Sequence, residues 1–268
     1  MAPPYPQKLR ACYVISLRPV GQHASMRRAA AAHGARVLAL SPWRIRARGD
    51  AATRAALRDA LAADIVLFTS PAAVHAAAGL RRLRARPGQA WLAVGEGTAR
   101  ALRRAGVSGV LAPTRMDSEG VLALPALASL RGRQVALVTA PGGRGLIAPT
   151  LAARGAQVLR ADVYERVPAA PAPQALARLR GLRAPLFLAL GSGEALQRLL
   201  EVLPADLGPR LRRARVLAAS DRLAAIARAA GFDDVVVAAD ARPRSLLAAA
   251  ARGRIPRSAT STPSRSPH

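Results

Sequence analysis

Several residue types that would each announce a chemistry are scarce in this chain. One cysteine, Cys12, occurs in 268 residues, which excludes internal disulfides and cysteine-cluster metal sites. Cys12 lies inside an apolar run and reads as core rather than nucleophile. The four histidines, His23, His33, His75 and His268, lack the spacing that sets two ligands on one helix face, so no metal is expected. Aromatic residues make up 3%, leaving Ala, Leu and Val to fill the core. No apolar run reaches bilayer length, and the opening Met1-Ala2-Pro3-Pro4-Tyr5-Pro6 lacks the basic and apolar regions of an export signal. A cytoplasmic protein without membrane contact is expected. Acidic residues are few as well: 15 Asp and Glu stand against 41 Lys and Arg, a formal net charge of +26.

That charge has two readings. A nucleic-acid binder or an enzyme for a polyanionic substrate would carry such a field. Yet Lys8 is the only lysine, and the arginines are spread along the chain apart from Arg81-Arg82-Leu83-Arg84-Ala85-Arg86. A compositional bias toward Arg and Ala accounts for most of this, and the remaining positive field favours acidic small molecules.

What the chain does have is alternation. Ala11 to Leu17 is a near-continuous apolar run, the pattern of a strand buried on both faces of a parallel sheet. A helix over about 22–33 follows, stopped by Gly34, and then the strand Arg36 to Leu40. Ser41-Pro42-Trp43 stays extended, with a proline that a central strand would not accept. A helix after Asp50 leads to the strand Asp64–Thr69. Ser70-Pro71 then pairs an N-cap with a proline at the first helical position. Strands over Trp91–Val94 and Gly109–Ala112 flank a helix stopped by Gly106. Strand alternating with helix predicts an α/β architecture with parallel sheets.

From Arg131 the pattern begins again. Gly155-Ala156-Gln157-Val158 repeats Gly34-Ala35-Arg36-Val37, Ser192 answers Ser70, and Ala224–Gly231 answers Ala99–Gly106, at offsets of 121, 122 and 125 residues. Anchors in this order predict an internal duplication. Asp162-Val163-Tyr164-Glu165-Arg166-Val167-Pro168 follows the second Gly-Ala-x-Val unit and runs into Pro171 and Pro173, a second extended, proline-bearing connection. Tyr164, one of three tyrosines, is expected to face a cleft between two domains.

Cofactor boxes find no support. Gly142-Gly143-Arg144-Gly145 lacks the Lys-Ser/Thr of a phosphate loop and the spacing of a dinucleotide turn. Ser70-Pro71 lacks the glycines of a nucleophile elbow. Instead, strand ends carry small polar residues or glycines that open helices: Ser70, Gly97-Thr98, Ser118, Gly142-Gly143, Ser192 and Ser220. A helix start offers unpaired N–H groups and the positive end of its dipole, so each can hold a carboxylate for about 0.3–1 kcal/mol. Ser and Thr cap helices everywhere. Many of them on one sheet edge point to a ligand bearing many carboxylates.

Arg18-Pro19, the Gly34-Ala35-Arg36-Val37 turn, Asp64 to Ser70, Val94-Gly95-x-x-Thr98-Ala99 and Ser118-Glu119-Gly120-Val121-Leu122 come in a telling order. Gly143-Arg144-x-Leu146, Leu151-x-x-Arg154-Gly155-Ala156 and Val163-Tyr164-x-Arg166 complete it. The series resembles the uroporphyrinogen-III synthase family over about residues 10–250. The resemblance implies two flavodoxin-like α/β domains joined by a two-stranded ribbon. Domain one would comprise 9–40 with 174–252, domain two 49–161, the ribbon 41–48 and 162–173, and 253–268 a disordered tail. It implies cyclisation of hydroxymethylbilane, a polycarboxylate, with loss of water and inversion of ring D, and no cofactor. Tyr164 would assist departure of the hydroxyl as a general acid, directly or through water. Arg18, Ser70, Gly97, Thr98, Ser118, Arg144, Ser192 and Ser220 would bind substrate. A monomer is expected, with transient handover from the preceding pathway enzyme and no nucleic acid. Leu17, Ala140-Pro141 and Gly191 depart from polar residues usual in the family. The alternative is a non-catalytic two-domain protein that binds a polyanion or nucleic acid.

Overall fold

The computed structural model describes residues 9–114, 118–142 and 145–252. The expected disordered tail over 253–268 lies outside the described residues, and so do Gly143 and Arg144. The chain begins with β1 (Tyr13–Ser16), α1 (Ala24–Ala32), β2 (Arg36–Ala39) and β3 (Trp43–Ala47). It continues through α2 (Ala51–Ala60), β4 (Ile65–Phe68), α3 (Pro71–Leu80), β5 (Ala90–Ala93), α4 (Glu96–Arg104) and α5 (Ser118–Leu122). Then come β6 (Gln134–Thr139), α6 (Ile147–Ala153), β7 (Gln157–Asp162), β8 (Tyr164–Pro168), α7 (Pro173–Gly181) and β9 (Leu186–Leu190). The last elements are α8 (Gly193–Val202), α9 (Gly208–Arg212), β10 (Arg215–Ala218), α10 (Asp221–Ala229), β11 (Val235–Val237) and α11 (Pro243–Arg252). None of the described helices is long and apolar enough to cross a membrane.

Two compact units result, one of Met1–Arg44 with Pro168–His268 and the other of Ile45–Val167. The first unit holds the parallel sheet β11-β10-β9-β1-β2. The second holds the parallel sheet β5-β4-β6-β7, extended past β5 by a single bridge between Leu92 and Leu111. The expected strand over Gly109–Ala112 is reduced to that bridge, because Pro113 offers no N–H with which to carry the ladder on. The two strand orders agree once counting in the second unit starts at β6, the first strand of the second repeat: β2-β1-β9-β10-β11 against β7-β6-β4-β5 and then Leu111. This is the doubly wound order, and it realises the duplication read from the Gly-Ala-x-Val and glycine-stopped helix anchors.

The apolar runs explain the layers. In β1, Tyr13 and Ile15 enter one cluster while Val14 enters another. In β4, Val66 and Phe68 face one way and Ile65 and Leu67 the other. Each sheet thus buries both faces under helices, as continuous rather than alternating strand hydrophobicity requires. Ala, Leu and Val make up most of the core, with Phe68 stacked on Trp91 at a ring separation of 5.4 Å.

Gly155 illustrates how the repeat closes its helices. It follows α6 with φ +86°, and an added Cβ would lie 3.2 Å from the Arg131 backbone. Gly106, which follows α4, has φ +90° but open space around it. Gly106→Ala is therefore expected to cost about 1 kcal/mol, from the left-handed backbone alone. Gly155→Ala is expected to cost about 2–3 kcal/mol, because the contact adds to the same strain. Urea unfolding of the two variants checks the difference, and equal losses would remove the steric part.

Strands β3 and β8 form a separate two-stranded ribbon. Arg48 N–H donates to Val163 O at one end and Ala169 N–H to Pro42 O at the other, so the strands run antiparallel. Arg46 and Glu165 pair across it at 2.6 Å. At this ribbon the chain passes from one compact unit to the other.

Candidate active site

Strand order in each unit brings a set of polar side chains to the C-terminal edge of its sheet, the edge where doubly wound folds bind ligands. In the second unit β4 ends in Thr69 and Ser70. Thr69 Oγ1 donates to Thr139 Oγ1 at the end of β6, at 2.7 Å. Ser70 caps α3, accepting from Ala73 N–H at 3.1 Å, and its Oγ lies 3.0 Å from the Tyr164 hydroxyl. Arg160 on β7 grips Asp162 and donates to Ala140 O at 2.7 Å, fastening the segment after β6.

Tyr164 opens β8 and its ring is packed in the core of this unit, only 3% exposed. Its hydroxyl is bonded to Ser70, and either oxygen can donate. If Ser70 donates, the phenolic proton is left for another acceptor. If the phenol donates, Ser70 keeps its own proton to pass on. Both arrangements leave one O–H at the start of α3.

Helix starts differ in how ready they are for an anion. Ser192 caps α8 through Ala195 N–H at 3.3 Å and Ser220 caps α10 through Leu223 N–H at 3.4 Å. However, α8 carries Glu194, α10 carries Asp221, α4 carries Glu96 and α5, opened by Ser118, carries Glu119 in the first turn. Such an acid already uses the dipole stabilisation that a ligand carboxylate would gain. The expectation for Thr98 needs correcting on a further ground. Gly95, not Gly97-Thr98, is the N-cap of α4, the Thr98 amide donates to Gly95 O, and the Thr98 side chain is buried. Exposed Gly97 keeps its place in the first turn. Gly142 likewise opens no helix, since α6 begins at Ile147. Among the proposed helix starts in the two units, α3 has no acidic residue in its first turn.

In the first unit the edge carries Arg18, just beyond β1. Its guanidinium is half-buried, burial lowers its pKa from the ordinary arginine value, and it has no ion pair or hydrogen-bond partner among the described residues. An arginine in that state remains charged and can take an anion as partner. Other arginines are structural. Arg154, for example, donates to Leu122 O at 2.6 Å and Leu127 O at 2.8 Å.

Three residues of this edge escaped the sequence reading. His23 Nδ1 lies 2.9 Å from Ser16 Oγ and His23 Nε2 lies 2.8 Å from Ser41 Oγ. Burial, helped by Arg27 and Arg18, lowers the His23 pKa from 6.5 to about 4. The unfolded chain therefore takes up a proton at a higher pH than the folded one. The contribution is complete above about 6.5 and is lost as pH falls toward about 4, a loss of about 3 kcal/mol at the acid limit. Unfolding free energies across that range are expected to fall more steeply for the wild type than for His23→Gln. Parallel slopes would contradict the assignment.

No group of three or more His, Cys, Asp or Glu among the described residues could hold a metal ion. Cys12 is free and buried, with its thiol pKa raised by burial, a packing residue as read.

The comparisons bear on what such edges serve. The family described as uroporphyrinogen-III synthase HemD matches residues 24–248. The uroporphyrinogen-III synthase of Salmonella typhimurium is 34% identical over 183 residues, covering 65% of this chain and 74% of that protein. The one from Escherichia coli is 35% identical over 161 residues, 59% of this chain and 65% of the relative. Among solved structures, uroporphyrinogen-III synthetase from Helicobacter pylori superposes with a TM-score of 0.56 at 14% identity, covering 89% of this chain and 97% of that one. A mutant uroporphyrinogen III synthase from Thermus thermophilus gives 0.53 at 21% identity, covering 88% and 96%. These two likenesses bear on the fold.

Proposed function

The chain belongs to the uroporphyrinogen-III synthase family, and from that premise we infer that it cyclises hydroxymethylbilane to uroporphyrinogen III, with loss of water and inversion of ring D. The family match over residues 24–248 carries this reading. In class it is a lyase that eliminates water and needs no cofactor. It works as a monomer in the cytoplasm and takes its substrate in a transient handover from the preceding pathway enzyme.

Each unit contributes binding groups at its own strand-end edge. Arg18, a cation with no partner among the described residues, takes a substrate carboxylate as its counter-ion. Ser192 and Ser220 donate hydroxyl protons to others, each Oγ already accepting from its own helix. In the second unit Ser70, Gly97, Ser118 and Arg144 serve carboxylates, and Thr98 only supports the turn. Acids in the first turns of α4, α5, α8 and α10 weaken those four helix starts as anion sites. Arg18 and the start of α3 therefore carry more of the affinity.

Tyr164 supplies the proton on which the substrate hydroxyl departs as water, through the hydroxyl pair that it forms with Ser70. The proton released when the closed macrocycle regains its aromatic pyrroles restores the phenol. Because the cation left by departure of water is reactive, holding the bilane in the bent form is the larger share of catalysis. The test is to supply hydroxymethylbilane and identify the uroporphyrinogen isomer. Type III is expected. Type I alone, with salt-dependent binding to DNA of any sequence, would return the chain to the polyanion-binding alternative.

A further inference from the structure

A buried polar knot lies beside Arg18, and the reaction described above makes no use of it. Ser16, His23 and Ser41 are 1%, 3% and 6% exposed. His23 occupies the N-cap of α1, a place where Ser, Asp or Asn would bond the helix's own N–H groups. Its side chain makes no cap bond there. It joins Ser16, the last residue of β1, and Ser41, just past β2, at 2.9 and 2.8 Å. A local stabilisation of the helix is forgone for a bond that spans two strand ends.

What the knot encloses is the segment 17–22, which carries Arg18. Ser16 and His23 are the residues on either side of it, so their bond closes the segment into a loop. Within the loop Gln22 N–H donates to Pro19 O, and Val20 N–H donates to Trp43 O, both at 2.9 Å. Val20 is 46% exposed, and Gly21 takes a left-handed φ of +81°. Such a turn has little apolar burial of its own to hold its shape. Its fastening comes from Leu17, which is buried, from the Trp43 contact, and from His23.

We propose that His23 is a positioning residue: by bonding Ser16 and Ser41 together it closes the 17–22 loop and holds Arg18 where a substrate carboxylate can reach it. The proposal rests on the assignment of Arg18 to substrate binding. An imidazole with one N–H donates to one serine and accepts from the other, so the two serines have opposite roles, and the side chain is matched at both nitrogens. A glutamine can reproduce one donor and one acceptor at similar reach, whereas a leucine can reproduce neither.

Two measurements on the whole chain separate this role from a merely structural one. The first is amide hydrogen exchange of His23→Leu, His23→Gln and Arg18→Met. His23→Leu is expected to lose about tenfold or more of the protection at Val20 and Gln22, with the sheet amides of β9 and β10 unchanged. His23→Gln is expected to keep most of that protection, and Arg18→Met all of it. Unchanged protection in His23→Leu overturns the proposal, and if that variant does not fold, loss of loop protection in His23→Asn replaces it as the reading.

The second is a double-mutant cycle on KM for hydroxymethylbilane. His23→Leu alone is expected to raise KM about tenfold with kcat changed by less than about threefold. In the Arg18→Met background it should add almost nothing, because its effect passes through Arg18. Fully additive effects overturn positioning even if the loop loosens. A wild type that yields no type III isomer refutes the enzymatic reading itself, and hydrogen exchange then still decides whether His23 closes the loop.

Discussion

Arg18→Met is expected to raise the KM for hydroxymethylbilane about ten- to a hundredfold, the loss of one charge-assisted contact of about 1.5–3 kcal/mol. Thermal unfolding of the same variant is expected at the same temperature as the wild type or higher. The two expectations come from one observation, a half-buried guanidinium that has no partner among the described residues. In the free protein such a group costs desolvation and gains no ion pair, so an apolar side chain of similar length relieves the fold by about 1 kcal/mol. In the complex it gains the anion it lacked, and the same replacement removes that gain. Stability and binding therefore move in opposite directions, the trade-off expected where a site holds charge ready for a ligand. If Arg18 were a structural arginine like Arg154, which holds two carbonyl oxygens, Arg18→Met would lower stability and leave KM alone. Steady-state kinetics with differential scanning calorimetry distinguishes these outcomes.

Tyr164→Phe is expected to lower kcat about a hundredfold, the lower end of what a placed general acid contributes. Activity should not vanish, because holding the bilane bent for ring closure does not depend on the phenol. The ring stays packed in the core, so the fold loses only the bond between the hydroxyl and Ser70, about 1 kcal/mol. Ser70→Ala should cost more stability than Ser192→Ala. Both remove a cap bond, at 3.1 and 3.3 Å, but Ser70→Ala also strands a buried phenol. A Tyr164→Phe enzyme with unchanged kcat would remove the acid role and leave the tyrosine as a packing residue of the second unit.

Local pattern made much of the architecture legible. The runs from Ala11 to Ile15 and from Ile65 to Phe68 are apolar at every step, which only strands covered on both faces sustain, and β1 and β4 are such strands. Ser70-Pro71 is a start signal that acts within one helical turn, and α3 begins there with Ser70 as its cap. The repeated Gly-Ala-x-Val turn aligned the two sequence repeats, and the strand orders of the two units agree when the second is counted from β6. The resemblance to a family, rather than spacing, supplied the ribbon as a pairing of β3 with β8.

The site was less legible, for physical reasons that differ by residue. Thr98 looked like a helix opener because Gly97 precedes it. Gly95 opens the helix instead and turns Thr98 inward, a shift of register that the motif does not reveal. Acids at Glu96, Glu119, Glu194 and Asp221 were visible beside the proposed anion sites, but their effect on a ligand carboxylate depends on each lying in a first turn. Ser16, His23 and Ser41 meet across separations of 7 and 18 residues. They lie on three different segments, at the end of β1, before α1 and after β2, so no single helical or strand period applies, and only the docking of β1 beside β2 brings them together. The duplication offered one overlooked hint. Ser16 ends β1 and Thr139 ends β6, equivalent strands of the two sheets, and both hydroxyls are engaged at the edge.

A time course of hydroxymethylbilane cyclisation at rising concentrations of the purified chain, with the uroporphyrinogen isomers separated at each point, tests the central claim most directly. Type III uroporphyrinogen is expected to replace type I in proportion to the chain added, and to recede toward type I in Arg18→Met and Tyr164→Phe at the same concentrations. Type I throughout, at the rate of the uncatalysed reaction and regardless of how much chain is present, would contradict it.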